Sequence, residues 1–94
     1  MDKILVLYTM KGCPWCDLMK KKLNECGITF HALDIETYKN EYDLFVKATN
    51  NEFLPAFMIV ETKGNNPKSS LFAPSRDFDD IDQGVKIIKE HFKK

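Results

Sequence analysis

The feature that most restricts what this chain can fold into is an abrupt change of pattern near its start. KILVLYT, residues 3–9, is a near-continuous apolar run rich in β-formers, the texture of a strand covered on both faces. Within a few residues it gives way to helical spacing. From Pro14 to Cys26 the apolar or thiol residues Cys16, Met19, Leu23 and Cys26 recur at three- and four-residue steps, while Lys20, Lys21 and Lys22 mostly face elsewhere. Gly27 is a natural helix stop. A sheet with layers on both sides, opening with a central strand, is therefore expected.

The rest of the chain extends that plan. Ile28 to Asp34 reads as a second strand and Tyr38 to Asn50 as a second helix, with Tyr42, Phe45 and Val46 turned inward. A helix between two strands implies that they run parallel, joined by a right-handed crossover. Ala56 to Glu61 predicts a third strand, TKGNNPK a turn, and SSLFAP a fourth strand that closes an antiparallel hairpin. Asp79 to Phe92 predicts a last helix, with Ile81, Val85, Ile88 and Phe92 on one face. The order β-α-β-α-β-β-α defines an α/β fold around a mixed four-stranded sheet with helices on both faces. No repeat, low-complexity tract or linker interrupts it, so residues 1–94 are expected to form one domain.

Charge narrows the function. The 14 basic and 14 acidic side chains cancel to a formal net charge of zero, which gives no reason to expect nucleic acid or an anionic membrane as a partner. The apolar run at the amino terminus is too short for a signal-peptide core or a membrane span, so a cytoplasmic protein is expected. Three cysteines, an odd number, without an export signal suit reduced or catalytic thiols better than a disulfide scaffold.

Cys13 and Cys16 then carry the chemistry. A zinc site built from Cys13, Cys16, Cys26 and His31 fails on distance. Ten helical residues at about 1.5 Å each put Cys16 and Cys26 roughly 15 Å apart, whereas sulfurs on one zinc ion lie within about 4 Å. A permanent structural bridge is a weak reading too, because a two-residue loop constrains little of the unfolded chain. Redox chemistry fits. Pro14 suits the first helical position and makes Cys13 the cap, its sulfur facing unpaired N–H groups that include those of Trp15 and Cys16. Those donors and the helix dipole favour the thiolate. A free cysteine near pKa 8.5 is only about 3% ionised at neutral pH, and one lowered to roughly 6 is about 90% ionised. Lys11 adds a positive charge nearby. Cys13 is the expected nucleophile and Cys16, one turn into the helix, the resolving thiol.

With these residues in view, the chain resembles a glutaredoxin, the glutathione-linked branch of the thioredoxin superfamily, over nearly its whole length. The resemblance is carried by Tyr8-Thr9 leading into Cys13-Pro14-Trp15-Cys16, by the Leu-x-x-x-Gly-Ile-x-Phe pattern of Leu23 to Phe30, by Leu54-Pro55 and by Phe78-Asp79-Asp80. It implies a thioredoxin-like fold and a dithiol–disulfide oxidoreductase acting on protein disulfides or glutathione mixed disulfides. Glutathione would be a co-substrate, with no bound cofactor and no metal. It also implies a cis peptide at Pro55, a Leu54 backbone that pairs with the cysteinyl part of glutathione as an added strand would, and a glutamyl end received at Asp79 and Asp80. Lys11 and Trp15 complete the implied glutathione contacts, with Pro14 and Tyr8 shaping the site. A monomer is expected, and ribonucleotide reductase is a common client of the family.

Departures from the family pattern define the alternatives. Trp15 replaces the usual tyrosine, Met10 stands where a basic residue is common, Phe53 replaces threonine, and Arg76-Asp77 occupy the place of two glycines. A related group of redoxins is recharged by thioredoxin reductase, which is the runner-up reading. A [2Fe–2S] cluster held by Cys13 and glutathione is the third, and Pro14 weighs against it because cluster-binding relatives usually carry a smaller residue there. Cys26 is expected as a buried free thiol. His31 and His91 are expected to be structural.

Overall fold

The computed structural model describes residues 3–62 and 68–92. Its elements are β1 (Lys3–Thr9), α1 (Pro14–Glu25), β2 (His31–Asp34), α2 (Lys39–Thr49), β3 (Ala56–Glu61), β4 (Lys68–Phe72) and α3 (Ile81–His91). The sheet order is β2-β1-β3-β4. β1 pairs parallel to β2, with Val6 beside His31 and Thr9 beside Asp34. It pairs antiparallel to β3, which in turn pairs antiparallel to β4. The hairpin is therefore formed as the sequence predicts, while most of its turn, residues 63–67, lies outside the described residues.

Strand alternation explains why β1 is apolar throughout. Leu5 and Leu7 enter one core with Met19 and Leu23 of α1, Phe57 and Ile59 of β3, and Ile81, Val85 and Ile88 of α3. Val6 and Tyr8 point to the opposite face, where α2 supplies Tyr42, Phe45 and Val46. A strand sandwiched in this way has no polar side to offer, and each fully buried leucine contributes about 1.5–3 kcal/mol. Lys22 of α1 also reaches Asp82 of α3 at 2.8 Å, and this carboxylate raises the lysine pKa through a hydrogen bond and its charge.

Several element boundaries differ from the sequence expectation. The end of α1 forms a Schellman turn: Gly27, at φ 71°, donates to the Asn24 carbonyl, and the Ile28 N–H donates to the Leu23 carbonyl at 3.0 Å. Ile28 is thus committed to the helix end, and pairing in β2 begins only at His31. β4 spans Lys68–Phe72 rather than running on to Pro74. Beyond it, Ala73 anchors a tight loop, its N–H bonded to the Asp77 carboxylate and its carbonyl accepting from the Arg76 and Asp77 N–H groups. α3 begins at Ile81 with Asp80 as its cap, and α2 is flanked by Tyr38 and by Asn50 at φ 54°.

The expectation of a buried Cys26 is wrong: this free thiol is exposed. Its angular position matches the inward stripe of α1, but it is the C-cap, at the open end of the helix. There it lines a surface depression of about 550 Å³ together with Lys3, His31 and Phe92. Helical spacing gives direction around the axis and says nothing about how far along the axis the neighbouring elements reach. His31 is exposed, whereas His91 packs edge-on against Phe72 at 5.5 Å, and its carbonyl accepts from Lys3 Nζ.

Candidate active site around Cys13 and Cys16

β1 delivers the chain to the site. After Thr9, Gly12 turns at φ 76°, and Cys13, in extended conformation at φ −96° and ψ 101°, caps α1. Pro14 takes the first helical position, where its missing N–H costs no hydrogen bond. The Cys16 N–H donates to Cys13 Sγ at 3.2 Å, so the sulfur acts as the cap acceptor. The two sulfurs are joined in a disulfide with Cα atoms 5.3 Å apart. Cys13 keeps 7% of its surface exposed and Cys16 none, which puts the first sulfur at the surface and the second behind it.

Beside the pair lies an open cleft of about 350 Å³. Trp15, Phe53, Leu54, Pro55 and Phe78 form its apolar lining, and Asp79 and Asp80 bring the charge. Trp15 and Phe53 are 60% and 63% exposed, a large apolar area to leave in water. The Leu54–Pro55 peptide is cis. At the α3 end of the cleft Asp80 Oδ1 accepts from the Gln83 N–H at 2.8 Å, and Gln83 Oε1 accepts from the Asp79 N–H at 2.8 Å. This reciprocal arrangement closes the helix start on itself.

The fold thus brings five sequence-predicted residues, Trp15, Leu54, Pro55, Asp79 and Asp80, onto one cleft beside Cys13 and Cys16. Others lie apart. Lys11 is exposed and lines no part of the cleft. Tyr8 is buried on the α2 face, its ring 4.9 Å from Phe45 and 5.7 Å from Tyr42, and burial raises its phenol pKa, helped by the charge of Glu41. Arg76 and Asp77 also stay out of the cleft: the guanidinium bonds the Asp77 carboxylate at 3.1 Å and the Leu71 carbonyl. Phe53 and Phe78 belong to the lining but were not expected there as site residues. Phe53 was visible only as a departure from the family threonine.

Among the described residues no group of three or more His, Cys, Asp or Glu side chains is placed to share a metal ion, and no helix is long and apolar enough to cross a membrane.

Comparison with known proteins decides the family. The family model described as Glutaredoxin matches residues 5–60, more than half of the chain. The chain belongs to the glutaredoxin family. This glutaredoxin-family chain is 33% identical over 63 residues to the Gene 56 protein of Mycobacterium phage L5; the match covers 67% of the chain and 58% of that relative's length. Among solved structures, Trichomonas vaginalis thioredoxin aligns at TM-score 0.65 and 21% identity, covering 96% of this chain and 78% of the other. A thioredoxin from Thermus thermophilus aligns at TM-score 0.59 and 15% identity, covering 96% and 73%. At those identities the structures establish the fold, which is thioredoxin-like. Family, fold and paired cysteines together indicate dithiol redox chemistry for the glutaredoxin-family site.

Proposed function

We propose that the protein is a glutathione-dependent dithiol–disulfide oxidoreductase that reduces protein disulfides or glutathione mixed disulfides. The observation that carries this reading is the position of Cys13: a surface sulfur at a helix cap, hydrogen-bonded by the Cys16 N–H, with a buried second sulfur close enough to bond it. In the reduced protein the helix start holds Cys13 as thiolate. That thiolate attacks one sulfur of a target disulfide and the other sulfur leaves as a thiolate. Cys16, once deprotonated, attacks Cys13 in the mixed disulfide, forming the internal bridge and releasing the second target thiolate. Two glutathione thiols then reduce the bridge and leave as glutathione disulfide.

The cleft supports the glutathione step. The Leu54 backbone is the element to which the cysteinyl part of glutathione would pair, and the Asp80 carboxylate is the group to receive the glutamyl ammonium. Such a protein would work as a monomer in the cytoplasm, with a protein such as ribonucleotide reductase as client. No cofactor is needed for these steps.

One observation favours a second reading, a redoxin recharged by thioredoxin reductase. The Asp79 N–H, one of the donors suited to a substrate carboxylate, is already bonded to the Gln83 side chain. The test is NADPH consumption with a small glutathione mixed disulfide, driven by glutathione and glutathione reductase in one cuvette and by thioredoxin reductase in another. Turnover in the first supports the glutathione reading. Turnover in the second cuvette alone, on a protein disulfide, overturns it in favour of the second.

A further inference from the structure

The pairing of β3 with β4 ends at Phe57 and Phe72, so the residues just before β3 and just after β4 leave the sheet. Phe53, Leu54 and Pro55 in the first stretch and Pro74, Ser75 and Phe78 in the second all line the cleft beside Cys13. Asn51 lines no part of it, yet joins the two stretches. Its Nδ2 donates to the Pro74 carbonyl at 2.7 Å, and its Oδ1 accepts from the Phe53 N–H at 2.9 Å. α2 supplies the footing: Asn50, in left-handed conformation, ends the helix, Thr49 Oγ1 donates to the Asn51 carbonyl at 3.4 Å, and the Tyr42 hydroxyl donates to the Glu52 carbonyl at 2.9 Å. Across the link the 73–78 loop is braced internally, because the Ala73 N–H donates to the Asp77 carboxylate and the Ser75 N–H to the Phe78 carbonyl.

We infer that Asn51 is a positioning residue for the dithiol reaction: its amide fixes the 53–55 stretch against the 74–78 loop and acts on a bound disulfide only through them. The inference rests on the dithiol reading above and adds to it a residue outside the binding surface. Asparagine suits the place because one planar group must present a donor to a carbonyl and an acceptor to an N–H. A carboxylate of the same shape keeps the bond from Phe53 but sets an oxygen against the Pro74 carbonyl oxygen, so attraction becomes repulsion. Since the loop is braced, a displaced Pro74 carries Phe78 with it. Cys13 and Cys16, on α1 and its cap, stay where they are. Loss of the Asn51 link therefore weakens binding and leaves bond exchange intact, a change in KM without one in kcat.

The experiment uses the pre-reduced protein, so that no electron donor enters the measurement. Single-turnover reduction of insulin disulfides is followed against insulin concentration, with hydroxyethyl disulfide as a reference too small to depend on both stretches. Asn51→Asp and Asn51→Ala should each raise the half-saturating insulin concentration about five-fold, the effect of one neutral hydrogen bond. The limiting rate and the hydroxyethyl disulfide rate should not change. Ile59→Val, a truncation in the core away from this link, is the control for lost stability alone and should leave the half-saturating concentration unchanged. In the unsubstituted protein, amide exchange should show the Phe53 N–H protected despite the exposure of its side chain. An unprotected Phe53 amide, an unaltered half-saturating concentration in both Asn51 variants, or the same rise in Ile59→Val would each overturn the inference while leaving the dithiol reading intact. A parallel fall in the limiting and hydroxyethyl disulfide rates would also overturn it, since the change would then act on Cys13 itself. Failure of the unsubstituted protein to reduce even hydroxyethyl disulfide would overturn both readings.

Discussion

The Cys16 N–H donates to the sulfur of Cys13 across 3.2 Å, so the residue that completes the dithiol also supplies a donor to its partner. A hydrogen bond to an ionised acceptor is stronger than one to a neutral acceptor, and it adds to the field of the helix start. Reduced Cys13 is therefore expected to ionise below the ordinary thiol range. The measurement is the pH dependence of iodoacetamide alkylation in Cys16→Ser with Cys26→Ser, the second change being required because Cys26 is exposed and would react too. A half-maximal rate at the free-thiol pH of about 8.5 would contradict the capping argument.

Asymmetric exposure of the two sulfurs leads to a second expectation. Cys13 reaches the surface and Cys16 has no exposed area, so an incoming disulfide meets Cys13 first. Cys16→Ser should accumulate a mixed disulfide at Cys13 on mixing with a protein disulfide, visible as a covalent adduct by mass spectrometry. Cys13→Ser should accumulate none at Cys16 and lose reduction by at least about a hundred-fold, as befits a lost nucleophile. Full activity of Cys16→Ser on protein disulfides would contradict the two-step mechanism.

Much of this architecture is readable in sequence because its signals are local. The β1 run, the Pro14 helix start and the stripe through Met19 and Leu23 each involve neighbours within two turns, and the structure places them accordingly. The start of β2 was less legible because Ile28 and Phe30 are apolar either way. Only the Ile28 hydrogen bond to Leu23 shows that the helix end holds the first of them. Cys26 was misjudged for a similar reason: its angle is inward but its position along the axis is terminal.

Within the site, the cysteine pair is a chain-local motif, whereas the cleft is assembled from three separated stretches around Trp15, Leu54 and Phe78. No spacing rule links these segments. Leu54, Pro55, Asp79 and Asp80 were legible through family resemblance alone. The exposure of Phe53 could not be read at all, because an aromatic residue beside a strand ordinarily signals burial.

Tyr8 and Tyr42 supply a pH expectation. Burial raises the pKa of both phenols, with smaller contributions from Glu41 for Tyr8 and from Glu52 and Asp43 for Tyr42. A phenol whose folded pKa exceeds its unfolded value stabilises the fold fully below the unfolded pKa, and that contribution is lost as pH rises through the folded pKa. Absorbance at 295 nm should therefore show two of the three tyrosines ionising above the ordinary value of about 10, with denaturant midpoints falling over the same range. Tyr8→Phe should remove one late-titrating group and soften the alkaline loss. Three tyrosines titrating together at the ordinary value in the folded protein would contradict it.

Gly84 couples the α1–α3 interface to the floor of the cleft. It is buried in α3, and a Cβ there would lie 2.8 Å from Met19 Cε and 3.2 Å from two ring carbons of Phe78. Replacing a helical glycine by alanine ordinarily gains about 1 kcal/mol through backbone entropy. Here the gain is opposed, because Met19 is fully buried and any retreat of Phe78 would disturb its stacking at 5.4 Å on Phe57. Overpacking of this kind costs about 1–3 kcal/mol, so Gly84→Ala should lower stability by about 1 kcal/mol net, measured by urea denaturation at neutral pH. Any retreat of the Phe78 ring would also move part of the cleft lining, so the same variant should bind cleft-dependent substrates less tightly while keeping Cys13 in place. A gain in stability would show that Met19 and Phe78 shift freely, and the close packing between α1 and α3 would not be what holds the cleft floor.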